Sequence, residues 1–299
     1  MVGPVRSIAV IGADGSRGRR ILEALAATGE VRTVPDAAAA ASSATVVHLG
    51  GEAAGTSHVL TPGSAVRTFV YVSSAMVYGA WPNNPVPLTE DAPLRPNPGF
   101  AFAAAKAERE RVALEWREAT EGARLAVLRP TTVLGDGDDR LTRLLRDVLP
   151  AGVEDAIPPV QYLHGDDLTE AIVLAVTAGL DGVFNVAPDG WMSEDEARAL
   201  TAGPLRVRLP RRLRLLAPAV PPELLPYLIH PWVVANDRLR AAGWRPRHTS
   251  EEAFVAGAGV PGWQSLSLGR RQALALGGTA GVIGAAVAAG VALYRRRRP

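Results

Sequence analysis

The chain has 299 residues, of which 32 are Lys or Arg, 30 are Asp or Glu, 5 are His and none is Cys. Hydrophobic residues make up 47% and charged residues 21% of the chain, which excludes an intrinsically disordered protein, and the length allows one large α/β domain or two ordinary domains. The absence of cysteine excludes disulfide frameworks, thiolate metal sites and cysteine nucleophiles. The five histidines show no ligand spacing, so no metal site is expected.

The positive charge is concentrated at the C-terminal end of the chain. Six arginines lie in the last thirty residues, which contain no acidic residue, and the other 269 residues hold 26 basic against 30 acidic side chains. Nucleic-acid binding requires a basic face on the folded body, so no nucleic-acid partner is expected. Lys106 is the only lysine, although the chain has 31 arginines. The first six residues are too short and too weakly apolar for a signal peptide, which predicts a cytoplasmic protein.

Short apolar runs alternate with helical segments along most of the chain. Buried strands are predicted at residues 8–11, 31–34, 45–49, 68–72, 125–128 and 182–186, and helices at 16–27, 101–120, 141–149, 166–178 and 193–201. This alternation predicts an α/β fold, a Rossmann-like doubly wound parallel sheet with helices on both faces. We expect a dinucleotide-binding domain over residues 1–150, to which residues 160–190 return, a smaller C-terminal substrate lobe over 151–268, and a C-terminal apolar helix over 269–299.

A glycine-rich loop joins the first predicted strand to the first predicted helix. Glycines at this point allow a tight turn and let backbone N–H groups approach a pyrophosphate at the positive end of the helix. The loop therefore predicts a site for NAD or NADP, with the contacts Gly12, Gly15, Ser16, Arg17 and Gly18. Asp36 is a further predicted contact, because a carboxylate after the second strand accepts a hydrogen bond from a ribose hydroxyl. Arginines in the first helix favour a ribose phosphate instead, so the choice between NAD and NADP stays open.

Several longer motifs follow one another in order. They are the segments 69–79 (FVYVSSAMVYG), 101–106 (AFAAAK), 128–135 (LRPTTVLG), 164–168 (HGDDL), 182–187 (GVFNVA) and 243–246 (GWRP). In this order they resemble the extended short-chain dehydrogenases, the NAD-dependent epimerase/dehydratase family, and with the glycine loop the resemblance covers residues 8 to about 255. It implies a Rossmann-like fold, an NAD or NADP cofactor, and a nucleotide sugar or related small molecule as substrate.

The resemblance also implies roles for individual side chains. In this family a Ser or Thr orients the substrate hydroxyl or keto group, and a Tyr-x-x-x-Lys motif supplies the acid/base. The first role falls on Ser74, and Lys106 stands at the lysine position, where it holds the nicotinamide ribose. Phe102 stands where the tyrosine should be, and a phenyl ring exchanges no proton. Three explanations stay open: Tyr78 acts in its place, a substrate group or bound water carries the proton, or the site binds nucleotide without turnover.

Further implications concern the substrate and the adenine end of the cofactor. Thr132 and Arg208 are the implied substrate contacts, and Arg208 lies in an arginine-rich segment of the substrate lobe, where arginines hold diphosphates. Only ten residues separate the second and third predicted strands, where the family has a further strand and the loop that packs on adenine. Asp166 and Asp167 are interpreted as helix-capping residues rather than paired catalytic carboxylates. A homodimer through the long helices is also implied.

The C-terminal segment predicts association with a membrane. Residues 272–294 contain no charge and would extend for about 34 Å as a helix, with arginines on both sides. The composition is mostly alanine and glycine, so the segment fits an interfacial or re-entrant helix on the inner face of the membrane as well as a single-pass span. A helix packed on the folded body is the alternative.

Together these motifs predict an NAD(P)-dependent oxidoreductase of the epimerase/dehydratase type, acting on a hydroxyl or keto group of a nucleotide sugar or related small molecule. Ser74, Lys106 and Tyr78 are the predicted catalytic residues. The alternative is a non-catalytic nucleotide-binding or scaffold protein that keeps the fold and has lost the chemistry, because Phe102 replaces the tyrosine.

Overall fold

The computed structural model describes residues 7–35, 37–50, 59–61, 64–134, 158–193, 196 and 221–258. The described strands are β1 (Ile8–Ile11), β2 (Val31–Val34), β3 (Thr45–His48), β4 (Thr68–Val72), β5 (Arg124–Pro130), β6 (Thr132–Leu134), β7 (Tyr162–His164) and β8 (Gly182–Val186). The described helices are α1 (Gly15–Ala26), α2 (Ala37–Ala40), α3 (Ala101–Ala119), α4 (Gly165–Thr177), α5 (Leu225–Ile229), α6 (Asp237–Ala241) and α7 (Ser250–Ala258), with short 3₁₀ segments at Ala75–Tyr78 and Pro222–Leu224. Six strands form a parallel sheet in the order β2-β1-β3-β4-β5-β8, and β6 and β7 form a separate parallel pair.

The six-stranded sheet confirms the predicted Rossmann-like architecture, and each of its strands begins and ends within two residues of the predicted bounds. The helices predicted at 16–27, 101–120 and 166–178 are confirmed as α1, α3 and α4. The helix predicted at 141–149, most of the one at 193–201 and the apolar segment 272–294 lie outside the described residues. Among the residues that the structure describes, no helix is long and apolar enough to span a bilayer. Membrane association through 272–294 and the homodimer stay predictions.

Near-continuous apolar runs allow the central strands to be covered on both faces. Every residue of β1 and β3 is buried, and alternate residues point to opposite faces of the sheet. On one face the strands pack against Ile21 and Leu25 of α1 and Ile172 of α4. On the other face they pack against Ala113 and Trp116 of α3. The polar sides of these helices remain in solvent, so the sheet lies in the middle of a three-layer structure.

The connections around β1 determine where a ligand can bind. From β1 the chain runs through α1 to β2 on one side, and then through α2 to β3 on the other side of β1. The carboxyl ends of β1 and β3 therefore form a topological switch point, where open α/β sheets bind ligands. Within the described residues α2 has only four residues and no strand accompanies it, so β2 is the edge strand. The further strand that the resemblance places here is not present in that part of the chain.

A buried network of charged and polar side chains joins α3 to the carboxyl end of the sheet. Glu110 of α3 is fully buried and accepts hydrogen bonds from Nε and Nη2 of Arg129 on β5, the shortest at 2.6 Å. Arg129 donates from Nη1 to the Tyr78 hydroxyl at 2.7 Å, and this hydroxyl donates to Oδ1 of Asn185 at 2.8 Å. The backbone N–H of Asn185 donates to Oε1 of Glu90 at 2.9 Å. The network stays buried because its charges are paired and its polar atoms are satisfied.

Replacing Glu110 with glutamine removes the counterion of a buried guanidinium. We expect Glu110→Gln to lower the free energy of unfolding by about 3 kcal/mol in urea denaturation followed by circular dichroism. Glu115→Gln is the matched control, because Glu115 lies on the same helix but pairs with Arg111 at a position where 60% of the glutamate side chain is exposed. The control should lose less than about 1 kcal/mol. Equal losses in the two variants would contradict the assigned role of the buried pair.

Candidate functional site

The loop after β1 has the backbone that a phosphate-binding turn requires. Gly12 and Gly15 have φ values of 75° and 78°, a region that side chains other than glycine rarely adopt. A Cβ atom at Gly18 would lie 2.0 Å from the carbonyl oxygen of Ala13, so only glycine allows α1 to approach the loop. A Cβ at Gly15 would meet no atom within 4 Å, which leaves space above the start of α1. The residues present therefore fit a dinucleotide pyrophosphate.

The other predicted cofactor contacts have different environments. Ser16 is exposed in the first turn of α1. Arg17 is half-buried and donates from Nη2 to the carbonyl oxygen of Val133 at 3.3 Å, and its Nε is buried without a hydrogen-bond partner. Asp36 lies outside the described residues. The residues of α1 predicted to contact a phosphate therefore lie within the described chain, whereas the residue predicted to contact the adenosine ribose does not.

Lys106 lies at the same edge of the sheet, two strands away from the glycine loop. Its Nζ donates to the carbonyl oxygen of Val72, the last residue of β4, at 2.8 Å. Gly50, two residues beyond β3, has a φ of 81°, and a Cβ there would lie 2.0 Å from the same Nζ. Because β1, β3 and β4 are consecutive neighbours, about 10 Å separate the strand that precedes the glycine loop from the strand whose last carbonyl group binds Lys106. A dinucleotide laid across the switch point has room to contact both.

The environment of Lys106 favours its neutral form. The residue is only 4% exposed, and burial lowers the pKa of the amine to about 7, with a further decrease from the nearby Arg109 and an opposing effect from Glu110. Nζ also lies 5.4 Å from the ring centroid of Tyr71. The lone lysine therefore does not belong to a solvated helix face. It occupies a buried position at the carboxyl edge of the sheet.

Hydroxyl groups line the ends of β4 and β5. Ser74 is half-buried, and its Oγ accepts a hydrogen bond from the N–H of Met76 at 3.2 Å, which caps the 3₁₀ segment. The hydroxyls of Ser73 and Thr131 are buried and have no hydrogen-bond partner. Buried hydroxyls without partners are uncommon in folded proteins, and ligand or water binding satisfies such groups. Their place at the carboxyl ends of two neighbouring strands is consistent with a binding edge.

Phe102 occupies the position of the missing tyrosine on the first turn of α3. The side chain is 38% exposed, and its ring centroid lies 5.6 Å from Nζ of Lys106. Its neighbour Phe100 is buried, with a centroid distance of 5.7 Å between the two rings. The structure thus places an apolar ring beside the ammonium group and offers no exchangeable proton at residue 102.

Tyr78, the predicted substitute proton donor, lies in the buried network, and its catalytic role stays a prediction. Its side chain is 1% exposed, and its hydroxyl both accepts from Arg129 and donates to Asn185. Burial raises the pKa of the phenol to about 12, despite the opposing effect of Arg129. Tyr78 is therefore part of the structural network described above. Its partners lie 51 and 107 residues further along the chain, so no local pattern could have revealed them.

Of two residues predicted to contact the substrate, the structure describes one and not the other. One further residue of the site was not predicted. Thr132 begins β6 and is 9% exposed, and Arg208 lies outside the described residues. Gly50, which leaves room for the Lys106 ammonium, was missed. The sequence feature that could have revealed it is a glycine directly after the third apolar run. In this fold class the end of that strand lies beside the cofactor. The role of each residue in substrate binding stays a prediction.

Two histidines and an aspartate also come together at the start of α4. Ligand atoms of His164, Asp166 and His248 lie within 4.8 Å of one another. The two imidazole rings stack at a centroid distance of 3.9 Å with an angle of 24° between their planes, a proximity that their spacing in the sequence did not indicate. Asp166 pairs with Arg20, and Nδ1 of His248 lies 3.2 Å from the buried carboxylate of Asp167. The cluster thus ties α4 to α1 and to the segment before α7.

A family model described as the NAD dependent epimerase/dehydratase family matches residues 52–187 of the chain. The matched segment contains Ser74, Tyr78, Phe102 and Lys106, whereas the glycine loop precedes it. The match therefore covers the ends of β4 and β5 and the helix α3, whereas the glycine loop and Gly50 lie before it.

Relatives from bacteria extend this result. A 3-diazoavenalumate denitrifying reductase from a Streptomyces species is 32% identical over 222 residues, which cover 66% of this chain and 67% of that protein. An uncharacterized protein from Sinorhizobium fredii is 33% identical over 140 residues, which cover 44% of this chain and 34% of that protein. The chain thus spans about a third of the length of the Sinorhizobium relative and two thirds of the Streptomyces one.

Solved structures share the fold at lower identity. The UDP-glucose 4-epimerase of Thermus thermophilus, in complex with NAD, has a TM-score of 0.61 at 21% identity and covers 84% of this chain and 97% of its own. RMD from Pseudomonas aeruginosa, complexed with NADPH, has a TM-score of 0.59 at 20% identity, over 84% of this chain and 96% of its own. Family model, relatives and fold agree with the motifs read from the sequence, and we conclude that this chain belongs to the NAD-dependent epimerase/dehydratase family.

Proposed function

We propose that this protein is an NAD(P)-dependent oxidoreductase that acts on a hydroxyl or keto group of a small molecule. A nucleotide sugar is the substrate class that the family favours. The observation that carries the proposal is the position of Lys106, whose ammonium group is held at the carboxyl end of β4 beside Gly50, two strands from an intact glycine loop. The Streptomyces relative is named as a reductase, which supports reduction as the direction of the reaction.

In this proposal, the glycine loop and Lys106 would bind different parts of the cofactor. The loop from Gly12 to Gly18 would hold the pyrophosphate with backbone N–H groups at the start of α1. Lys106 would donate to the ribose next to the nicotinamide from the Nζ hydrogens that Val72 does not engage. When bound, the dinucleotide supplies or accepts the hydride.

Proton transfer must differ from the usual arrangement of the family, because Phe102 has no hydroxyl and the hydroxyl of Tyr78 is engaged in the buried network. Ser74 remains as the hydroxyl that orients the substrate oxygen. Lys106 is a described side chain at this edge that can exchange a proton near neutral pH, because burial lowers its pKa to about 7. In this proposal the amine takes the role that tyrosine and lysine share elsewhere in the family.

The second candidate function is nucleotide binding without turnover, and Phe102 is the specific observation that favours it. Both candidates require the glycine loop to bind a dinucleotide. Once dinucleotide binding has been measured, an activity assay distinguishes the two candidates. Turnover with a keto or hydroxyl substrate supports the enzyme. Tight dinucleotide binding with no hydride transfer to any acceptor supports the binding protein.

Gly15→Ala tests the phosphate loop. The added methyl group would occupy the open space above the start of α1, so we expect the affinity for NADH or NADPH in calorimetry to fall at least about tenfold. Gly99→Ala is the matched control, because Gly99 also has a positive φ of 79° with nothing within 4 Å of its Cβ position, yet it lies outside the loop. The control should share the backbone strain of roughly 1 kcal/mol and keep the affinity of the unmodified protein. Failure of the unmodified protein to bind either dinucleotide at millimolar concentration would refute both candidate functions.

The pH dependence of stability tests the burial of Lys106. The amine has a pKa of about 7 in the folded chain and an ordinary value of 10.5, so the unfolded chain binds the extra proton between these two values. We therefore expect the free energy of unfolding, relative to that of Lys106→Met, to rise with pH from about 7 towards 10.5. The slope should reach about 1.4 kcal/mol per pH unit in urea titrations. A difference between the two proteins that does not change with pH would contradict the buried, deprotonating amine.

A further inference from the structure

A row of aromatic side chains leads from the protein interior to the candidate site. The ring centroids of Phe102, Phe100, Tyr227 and Trp232 follow one another at distances of 5.7, 5.3 and 5.5 Å. The last three rings are at most 7% exposed, whereas Phe102 is 38% exposed. Phe102 is therefore the open end of a continuous aromatic wall, and this end lies beside the Lys106 ammonium.

The wall presents carbon rather than hydrogen-bonding groups. The Tyr227 hydroxyl already donates to the carbonyl oxygen of Met76 at 2.8 Å, and Nε1 of Trp232 donates to the carbonyl oxygen of Tyr227 at 3.1 Å. A sugar ring carries several hydroxyls, each of which loses water on binding and needs a partner in return. A planar aromatic ring needs no such partner and gains from stacking on, or packing edgewise against, another ring.

We infer that Phe102 forms the seat for a planar aromatic ring of the substrate, adjacent to Lys106. This inference rests on the proposed function and specifies its small-molecule substrate as an aromatic one, in place of the nucleotide sugar that the family favours. The replacement of tyrosine by phenylalanine removes a hydroxyl that serves proton transfer and leaves an apolar face at the same position. The Lys106 amine, 5.6 Å from the Phe102 centroid, would donate a hydrogen bond to an oxygen atom carried by the same substrate.

Equilibrium binding to the full-length chain tests this seat with two probes. One is cinnamate, a planar aromatic carboxylate, and the other is UDP-glucose. Each probe is titrated in the presence of NADPH or NADH. We expect cinnamate to bind the unmodified protein more tightly than UDP-glucose does. Phe102→Ala should weaken cinnamate binding about tenfold, because the stacking surface is lost, and Phe102→Tyr should keep it, because the ring remains. Leu114→Ala is the matched control, since Leu114 is also 38% exposed on α3 and lies far along the helix from residue 102.

The outcomes distinguish a failure of the aromatic seat at Phe102 from a failure of the proposed oxidoreductase function on which it rests. Cinnamate affinity that is equal in the unmodified protein and Phe102→Ala, or binding of UDP-glucose without binding of cinnamate, would overturn the aromatic seat and leave the proposed oxidoreductase intact if the dinucleotide still binds. Absence of dinucleotide binding in the unmodified protein would overturn the proposed function and the seat together. Equal circular dichroism spectra of the variants show that a lost affinity reflects the missing ring.

Discussion

The hydrogen bond from Lys106 to the carbonyl oxygen of Val72 is the interaction on which the candidate site depends. It fixes the first turns of α3 against the end of β4, and the lack of a side chain at Gly50 leaves room for the ammonium group. Burying a lysine lowers its pKa and costs stability, because the charged form loses its hydration. A purely structural position does not need such a group, so the cost points to a function at this edge of the sheet.

The buried ion pair below Lys106 limits how the chain can compensate for the missing tyrosine. Glu110 lies one turn beyond Lys106 on α3 and binds Arg129, which in turn engages the Tyr78 hydroxyl. Any movement of Tyr78 towards a substrate would leave the guanidinium with an unsatisfied hydrogen bond in a buried environment. The same network that positions α3 therefore holds Tyr78 in a structural role. Under the proposed function, proton transfer then falls to the amine, and under the further inference the exposed ring of Phe102 packs against the substrate.

Local patterns were sufficient to predict the sheet and the glycine loop between β1 and α1, because both depend on residues close together in the sequence. The apolar runs that form β1 and β3, and the glycines between β1 and α1, each carry their signal within a few positions. Contacts across the sheet were not predictable in this way. Lys106 meets a carbonyl group 34 residues earlier, and Tyr78 meets Asn185 107 residues later. Spacing indicates which residues share an element, but not which distant elements pack together.

The single lysine of this chain allows a direct measurement of the central claim. Protein grown with ¹³C-labelled lysine gives one side-chain signal, and NMR can follow its Cε chemical shift as pH changes and as NADH or NADPH is added. A buried amine at the dinucleotide site should titrate near pH 7, and its signal should shift when the dinucleotide binds. A signal that titrates near 10.5 and ignores both dinucleotides would contradict the account, because Lys106 would then be a solvated side chain outside the site.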